Sequence, residues 1–237
     1  MIPTYSDKIV LRAEHVDFKR NLRMDVLFRL FQEAAIAHTE ELGMGRSKTL
    51  DRGFLWVIAS ERVLVRRLPK YDEEIELISY PGSTLHYFFP RHYIVRSLSG
   101  EILIEGNAIW TLIDEKSREL IEPKANKIKI EGGEKGNELP SVMAIPMPPL
   151  TKTFKGSAEY SLVDLNGHLN NASYVDICLD SIGLKEMKDK TVKEIAILFR
   201  KEIPMGAEFE VSYEQQKNTY YFKNDFFHCK VVLEEDQ

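Results

Sequence analysis

Asp17-Phe18-Lys19-Arg20-Asn21-Leu22 and Asp164-Leu165-Asn166-Gly167-His168-Leu169 are the two stretches on which the reading of the fold turns. A shift of 147 positions, the distance from Asp17 to Asp164, lays the first on the second without a gap. It also carries Met24 to Asn171, Leu27 to Tyr174, Leu30 to Ile177 and Glu33 to Asp180. A second shift, of 134 positions, lays Leu64-Val65-Arg66-Arg67-Leu68 on Leu198-Phe199-Arg200-Lys201-Glu202 and Ile75-Glu76-Leu77 on Phe209-Glu210-Val211. The difference of 13 residues is a longer helix and loop in the first half. Two matches in the same order, joined by one length change, point to an internal duplication. The copies differ in chemistry. Where the second has Asn166, His168 and Glu202, the first has Lys19, Asn21 and Leu68.

Each copy reads as one helix followed by antiparallel strands. Met24, Leu27, Phe28, Phe31, Ala34, Ala35, His38 and Leu42 recur at three- and four-residue steps, which predicts a helix over 23–42 stopped at Gly43. Its apolar side is broad enough to require a sheet to pack on. Strand-like runs follow at Trp56–Leu68, Glu74–Tyr80, Tyr87–Ser97, Ile102–Asp114 and Lys127–Glu131. Residues 132–150 hold three glycines and four prolines without a period and read as a linker. Beyond it, Thr153–Leu162 is extended. Asn171, Val175, Cys178, Leu179 and Ile182 form a second helical stripe ended by Gly183, and Val192–Ile203, Glu208–Gln215 and Tyr220–Leu233 read as strands.

Composition narrows the class. A net charge of −5 over 237 residues argues against a general nucleic-acid binder. No apolar run reaches the length of a membrane span, and the charged first twenty residues leave no room for a signal peptide. Two cysteines, Cys178 and Cys229, fit a reducing compartment rather than a disulfide framework, so the expectation is a cytoplasmic protein. No metal-ligand spacing, P-loop or dinucleotide fingerprint occurs, and no cofactor is expected.

The chemistry concentrates in Val163–Tyr174. Asp164, Asn166 and His168 sit two apart, a spacing that puts them on one side of an extended loop. An Asp can orient a His, an Asn amide can donate to an oxygen on which charge grows, and Asn170 or Asn171 can cap the following helix. A polar turn would account for any one of these residues, but all three together, in one copy only, mark a reactive set. Glu202 ends the run that begins at Glu194; held in an apolar pocket, a carboxylate there can serve as a base toward water.

D-x-N-x-H-x-N-N-x-x-Y at 164–174, followed by Arg200-Lys201-Glu202, resembles the acyl-acyl-carrier-protein (acyl-ACP) thioesterases of plants and bacteria. Ala108-Ile109-Trp110-Thr111-Leu112-Ile113-Asp114, with Arg118 and Pro123 after it, is similar to that family's A-x-W-x-x-x-D strand signature. The resemblance implies an α+β tandem double hotdog: an N-terminal hotdog over 1–131 that holds the acyl chain, a linker over 132–150 and a C-terminal hotdog over 151–237 that carries the catalytic residues. It implies hydrolysis of fatty acyl-ACP to free fatty acid and holo-ACP, with Asp164, Asn166, His168 and Glu202 as the catalytic network. Plant members usually carry Cys directly after the Glu; here that residue is Ile203, which leaves a thiol nucleophile unsupported.

Two mechanisms remain open at this point. Glu202 and His168 can deprotonate water while Asn166 and a backbone N–H steady the oxyanion, or Asp164 can attack directly. Phe28, Phe31, Ala35 and Trp56 are candidates for the acyl slot, although each reads equally well as core. Arg62, Arg66, Arg67 and Lys70 are candidates for a basic rim that meets the acidic carrier protein. An acyl-CoA thioesterase and a non-catalytic acyl sensor are the rival readings, and a homodimer is open.

Overall fold

The computed structural model describes residues 4–132 and 139–236. The first half contains β1 (Tyr5–Val10), α1 (Met24–Glu41), β2 (Phe54–Val65), β3 (Glu74–Pro81), β4 (Phe88–Ser97) and β5 (Ile102–Asp114). The second contains β6 (Lys152–Ser157), α2 (Asn171–Ile182), the short α3 (Leu184–Asp189), β7 (Lys190–Phe199), β8 (Glu208–Gln216), β9 (Thr219–Lys223) and β10 (Phe227–Glu235). All ten strands form one antiparallel sheet in the order β1-β3-β4-β5-β2-β7-β10-β9-β8-β6. The order reads the same from either edge once equivalent strands are exchanged. The halves meet at the β2–β7 seam, from Ser60↔Leu198 to Leu64↔Glu194, where each covers the other's open edge. The fold is α+β: two tandem hotdog units, each a helix packed on antiparallel strands.

Periodicity places the core. The stripe of α1 predicted from its spacing is buried, including Leu27, Phe28, Phe31, Ala34 and Ala35. Phe31 stacks on Tyr93 of β4 with ring centroids 4.2 Å apart. Beneath it β5 carries Gly106, where an added Cβ would stand 2.4 Å from the Phe31 ring. Only glycine lets the helix approach the sheet this closely. Burying a side chain of this size stabilises the fold by roughly 1.5–3 kcal/mol. The helix ends at Glu41, and Gly43 just beyond it, at φ +70°, turns the chain away.

Among the buried polar side chains, Glu61 is the carboxylate set deepest in the sheet. Glu61 of β2 lies on the same face as Val63 and Val65, between Ala108 and Ile197 of the neighbouring strands, and is 2 % exposed. Burial pushes its carboxyl up to about 8.

The duplication is reproduced at the level of single residue pairs. Tyr5↔Ser79 through Val10↔Glu74 in the β1–β3 ladder corresponds to Lys152↔Tyr213 through Ser157↔Glu208 in β6–β8, under the shifts of 147 and 134.

Several segments depart from the expected layout. Lys127–Glu131 is not a strand: Ile128 and Ile130 are buried as the alternation demands, but the backbone of Ile130 exchanges hydrogen bonds with Thr84 alone, so no ladder forms. Tyr220–Leu233 is two strands, because the Asn224 carboxamide accepts from the amides of Phe226 and Phe227 (both 2.9 Å) and folds the run into a turn. The linker is in part a packed strap. Residues 133–138 lie outside the described residues; after them, Val142 and Ile145 bury against Ala196 on the outer face of the sheet, and Ser141 donates to Asn107 of β5 (2.8 Å). Among the described residues no helix is long and apolar enough to cross a membrane.

Candidate active site

The loop ahead of α2 is folded by its own polar groups. Asp164 Oδ1 accepts from the backbone amides of Asn166 (2.8 Å) and His168 (3.3 Å), and the Asp164 amide donates to the His168 carbonyl (2.8 Å). Gly167 turns the loop at φ +78°. Asn170 then caps α2 by accepting from the Ala172 amide (2.9 Å). Leu169 donates to the Ile203 carbonyl (2.8 Å), and His168 bridges Pro204. These two links draw the segment after β7 against the loop and bring Glu202 to His168.

His168 Nδ1 is buried, has no hydrogen-bond partner and lies 3.7 Å from Glu202 Oε1. Glu202 is not at the end of a strand: β7 stops at Phe199, three residues earlier. Nor is it in an apolar pocket. Its side chain is 37 % exposed, and its other oxygen accepts from the Arg118 guanidinium. Arg118 belongs to the first half, and single-residue reasoning missed it. The signal available was its place just after the A-x-W-x-x-x-D run.

Trp56, Arg118, Asp164, Asn166, His168 and Glu202 all line one cavity of about 510 Å³. A second, more apolar groove of about 230 Å³ lies against α1 and is lined by Ala35, Phe54, Trp56, Phe89 and Trp110, with Asn166 at its edge. Trp56 and Asn166 line both. Of the four candidates for the acyl slot, Ala35 and Trp56 line this groove, whereas Phe28 and Phe31 are 2 % and 0 % exposed in the core. Arg62, Arg66 and Arg67 are ion-paired to Glu194, Glu105 and Glu73, and they sit toward the end of β2 opposite to Trp56.

The first copy repeats the loop without the chemistry. Asp17 accepts from the amides of Lys19 (2.8 Å) and Asn21 (2.9 Å), Leu22 donates to Pro69, and Arg20 adopts the left-handed φ of +64° that Gly167 takes in the second copy. Its cavity, about 490 Å³, is partly filled by Lys19, whose ammonium donates to the Lys190 carbonyl (2.7 Å) and pairs with Asp236 (3.0 Å).

Cys178 and Cys229 are unbonded neighbours in the core of the second half. Both are fully buried, and burial is the main cause that pushes the Cys178 thiol up, the opposite of what a nucleophilic thiolate needs. Replacing both with Ala is expected to leave kcat within a few-fold of the parent. A folded double variant without turnover would restore a thiol mechanism.

Comparison with known proteins gives concordant results. A family model described as acyl-ACP thioesterase N-terminal domain matches residues 3–128, and one described as acyl-ACP thioesterase C-terminal domain matches 152–235. The chain is 22 % identical over 209 residues to a chloroplastic palmitoyl-acyl carrier protein thioesterase of Arabidopsis thaliana, covering 81 % of this chain and 50 % of that protein. It is 25 % identical over 217 residues to a chloroplastic dodecanoyl-[acyl-carrier-protein] hydrolase of Cinnamomum camphora, covering 83 % and 56 %. The chain thus spans about half the length of the curated relatives it matches. Among solved structures it is similar to an acyl-ACP thioesterase from Bacteroides thetaiotaomicron (TM-score 0.83, 20 % identity, 98 % of each chain covered). It is also similar to a 12:0-ACP thioesterase from Umbellularia californica (TM-score 0.82, 16 % identity, 98 % of each chain covered). With both halves matched in order by the two family models, the chain belongs to the acyl-ACP thioesterase family.

Proposed function

We propose that this chain hydrolyses fatty acyl-ACP thioesters to free fatty acid and holo-ACP. The observation that carries the reading is the shared wall of Trp56 and Asn166, which sets an apolar groove beside a cavity holding His168 and Glu202. An acyl chain laid in the groove would present its thioester at Asn166. In this reading the first domain, 1–131, holds the chain, the second, 151–237, supplies the acid–base groups, and 132–150 joins them.

Glu202 and His168 position a water and take its proton as its oxygen attacks the thioester carbon. The Asn166 amide, with a backbone N–H of the first turn of α2, steadies the oxyanion. The C–S bond then breaks, and the thiolate leaves with a proton. Asp164 favours an orienting role over direct attack, because its Oδ1 already accepts two backbone amides and holds the loop in shape.

Turnover on acyl-ACP and acyl-CoA of the same chain length, followed by thiol release, tests the proposal. A higher kcat/KM on acyl-ACP is expected. Preference for acyl-CoA would transfer the reading to a CoA thioesterase, and tight binding of either without thiol release would make the chain a sensor.

A further inference from the structure

The A-x-W-x-x-x-D signature ends in a turn whose purpose the strand itself does not explain. Asp114 Oδ1 accepts from the backbone amides of Lys116 (2.9 Å) and Ser117 (2.8 Å), and its carbonyl accepts from the Arg118 amide (3.0 Å). These backbone bonds hold the Asp114 carboxyl below its usual range. The turn leaves Arg118 at φ +60°, a left-handed conformation that a side chain with a Cβ adopts only when its surroundings enforce it. Held there, Arg118 reaches from the first half to Glu202 in the second. Among the described residues, Arg118, His168 and the Tyr174 phenol are the charged or titratable groups that interact with the Glu202 side chain, and only Arg118 hydrogen-bonds to it.

We infer that Arg118 is a positioning residue: by anchoring Glu202 Oε2 it fixes the direction of Oε1 toward His168. The inference rests on the acid–base reading of Glu202. Glu202 follows β7 in a loop, so no ladder hydrogen bond restrains it. A carboxylate free to rotate would spend much of its time out of reach of His168, and small misplacements of a reacting group cost rate rather than affinity. Arg118 therefore serves as the first half's contribution to the reaction centre, and Asp114 shapes the turn that presents it.

The test is steady-state kinetics on one acyl-ACP substrate for Arg118→Met, Arg118→Lys, Glu202→Gln and the double variant Arg118→Met/Glu202→Gln, with folding followed by circular dichroism. Arg118→Met is expected to lower kcat by about 10- to 100-fold with KM changed little. Arg118→Lys should recover part of the loss, as should guanidinium added to Arg118→Met. The double variant should be no slower than Glu202→Gln alone, because an arginine that works through Glu202 has nothing left to position. A folded Arg118→Met with parental kcat, a loss confined to KM, or losses that multiply in the double variant would each overturn the inference while leaving Glu202 in place. Parental kcat in Glu202→Gln would instead remove the acid–base reading and this inference with it. If Arg118→Met does not fold, Arg118→Lys decides: parental kcat with no gain from guanidinium overturns the role, and a reduced kcat with unchanged KM supports it.

Discussion

Replacing His168 with Ala is expected to lower kcat by about 10²–10⁴, the range for removal of a positioned proton-transfer group. Glu202→Gln keeps the shape of the side chain but cannot accept the proton, so turnover should fall while the fold survives. Asn166→Ala removes the proposed oxyanion donor and should cost about 10²–10³. The duplicate positions supply an internal control. Lys19, Asn21 and Leu68 occupy the same backbone frame, so replacing them should leave the chemical step nearly unchanged. A Lys19 replacement should act on stability instead, since it breaks the bonds to Lys190 and Asp236. The measurement is kcat for both sets on one acyl-ACP substrate, with circular dichroism as the folding check. Near-parental kcat in His168→Ala and Glu202→Gln would eliminate the proposed site.

The second large effect is on stability and originates in Glu61. Its carboxyl is pushed up to about 8 by burial, against 4.5 when unfolding releases it to water. Below pH 4.5 the group is protonated in both states and adds no pH dependence. Between 4.5 and 8 the unfolded chain loses this proton and the folded chain keeps it, so stability falls as pH rises, by up to about 1.4 kcal/mol per unit. Above 8 the folded form ionises as well and the decline ends. Glu61→Gln has no proton to lose. Its melting temperature should fall less than the parent's between pH 5 and 8, and near pH 8 it should be the more stable of the two. Titrations common to both proteins cancel in the difference. Parallel melting curves across this range would show that Glu61 is not held neutral in the core.

What could be read without coordinates follows from how local each signal is. The repeat offsets came from short strings, and the structure returns them as matching registers in β1–β3 and β6–β8. Helix α1 was legible because eight residues share one period, and α2 because Asn170 and Gly183 mark its ends. The Asp164, Asn166, His168 loop was legible because its members lie within five residues. Glu202 required the duplicate for comparison. Arg118 was not legible as a site residue, since its partner stands 84 positions away. The same reason hid the ion pairs that occupy Arg62 and Arg66, whose partners are 132 and 39 positions away. The split of Tyr220–Leu233 depends on one Asn side chain, and the burial of Glu61 contradicts what its residue type suggests. Lys127–Glu131 alternates like a strand because alternation reports burial, whereas a strand also needs a neighbour to pair with.

The β2–β7 seam joins two halves that are copies in backbone but not in side chains, and this changes how the molecule can vary. In a symmetric dimer of one hotdog chain, every substitution falls on both interface cavities at once. A residue useful in one role must then be tolerable in the other. Fusion ends that coupling. Here the arginine at 118 stands at one cavity only, and the lysine at 19 fills the other without obstructing the first. Under the proposed function, each half can drift toward its own task, chain holding or proton transfer, under separate selection. For the same reason, random substitution of this chain should yield single-role phenotypes far more often than substitution of a paired single-hotdog protein of the same backbone.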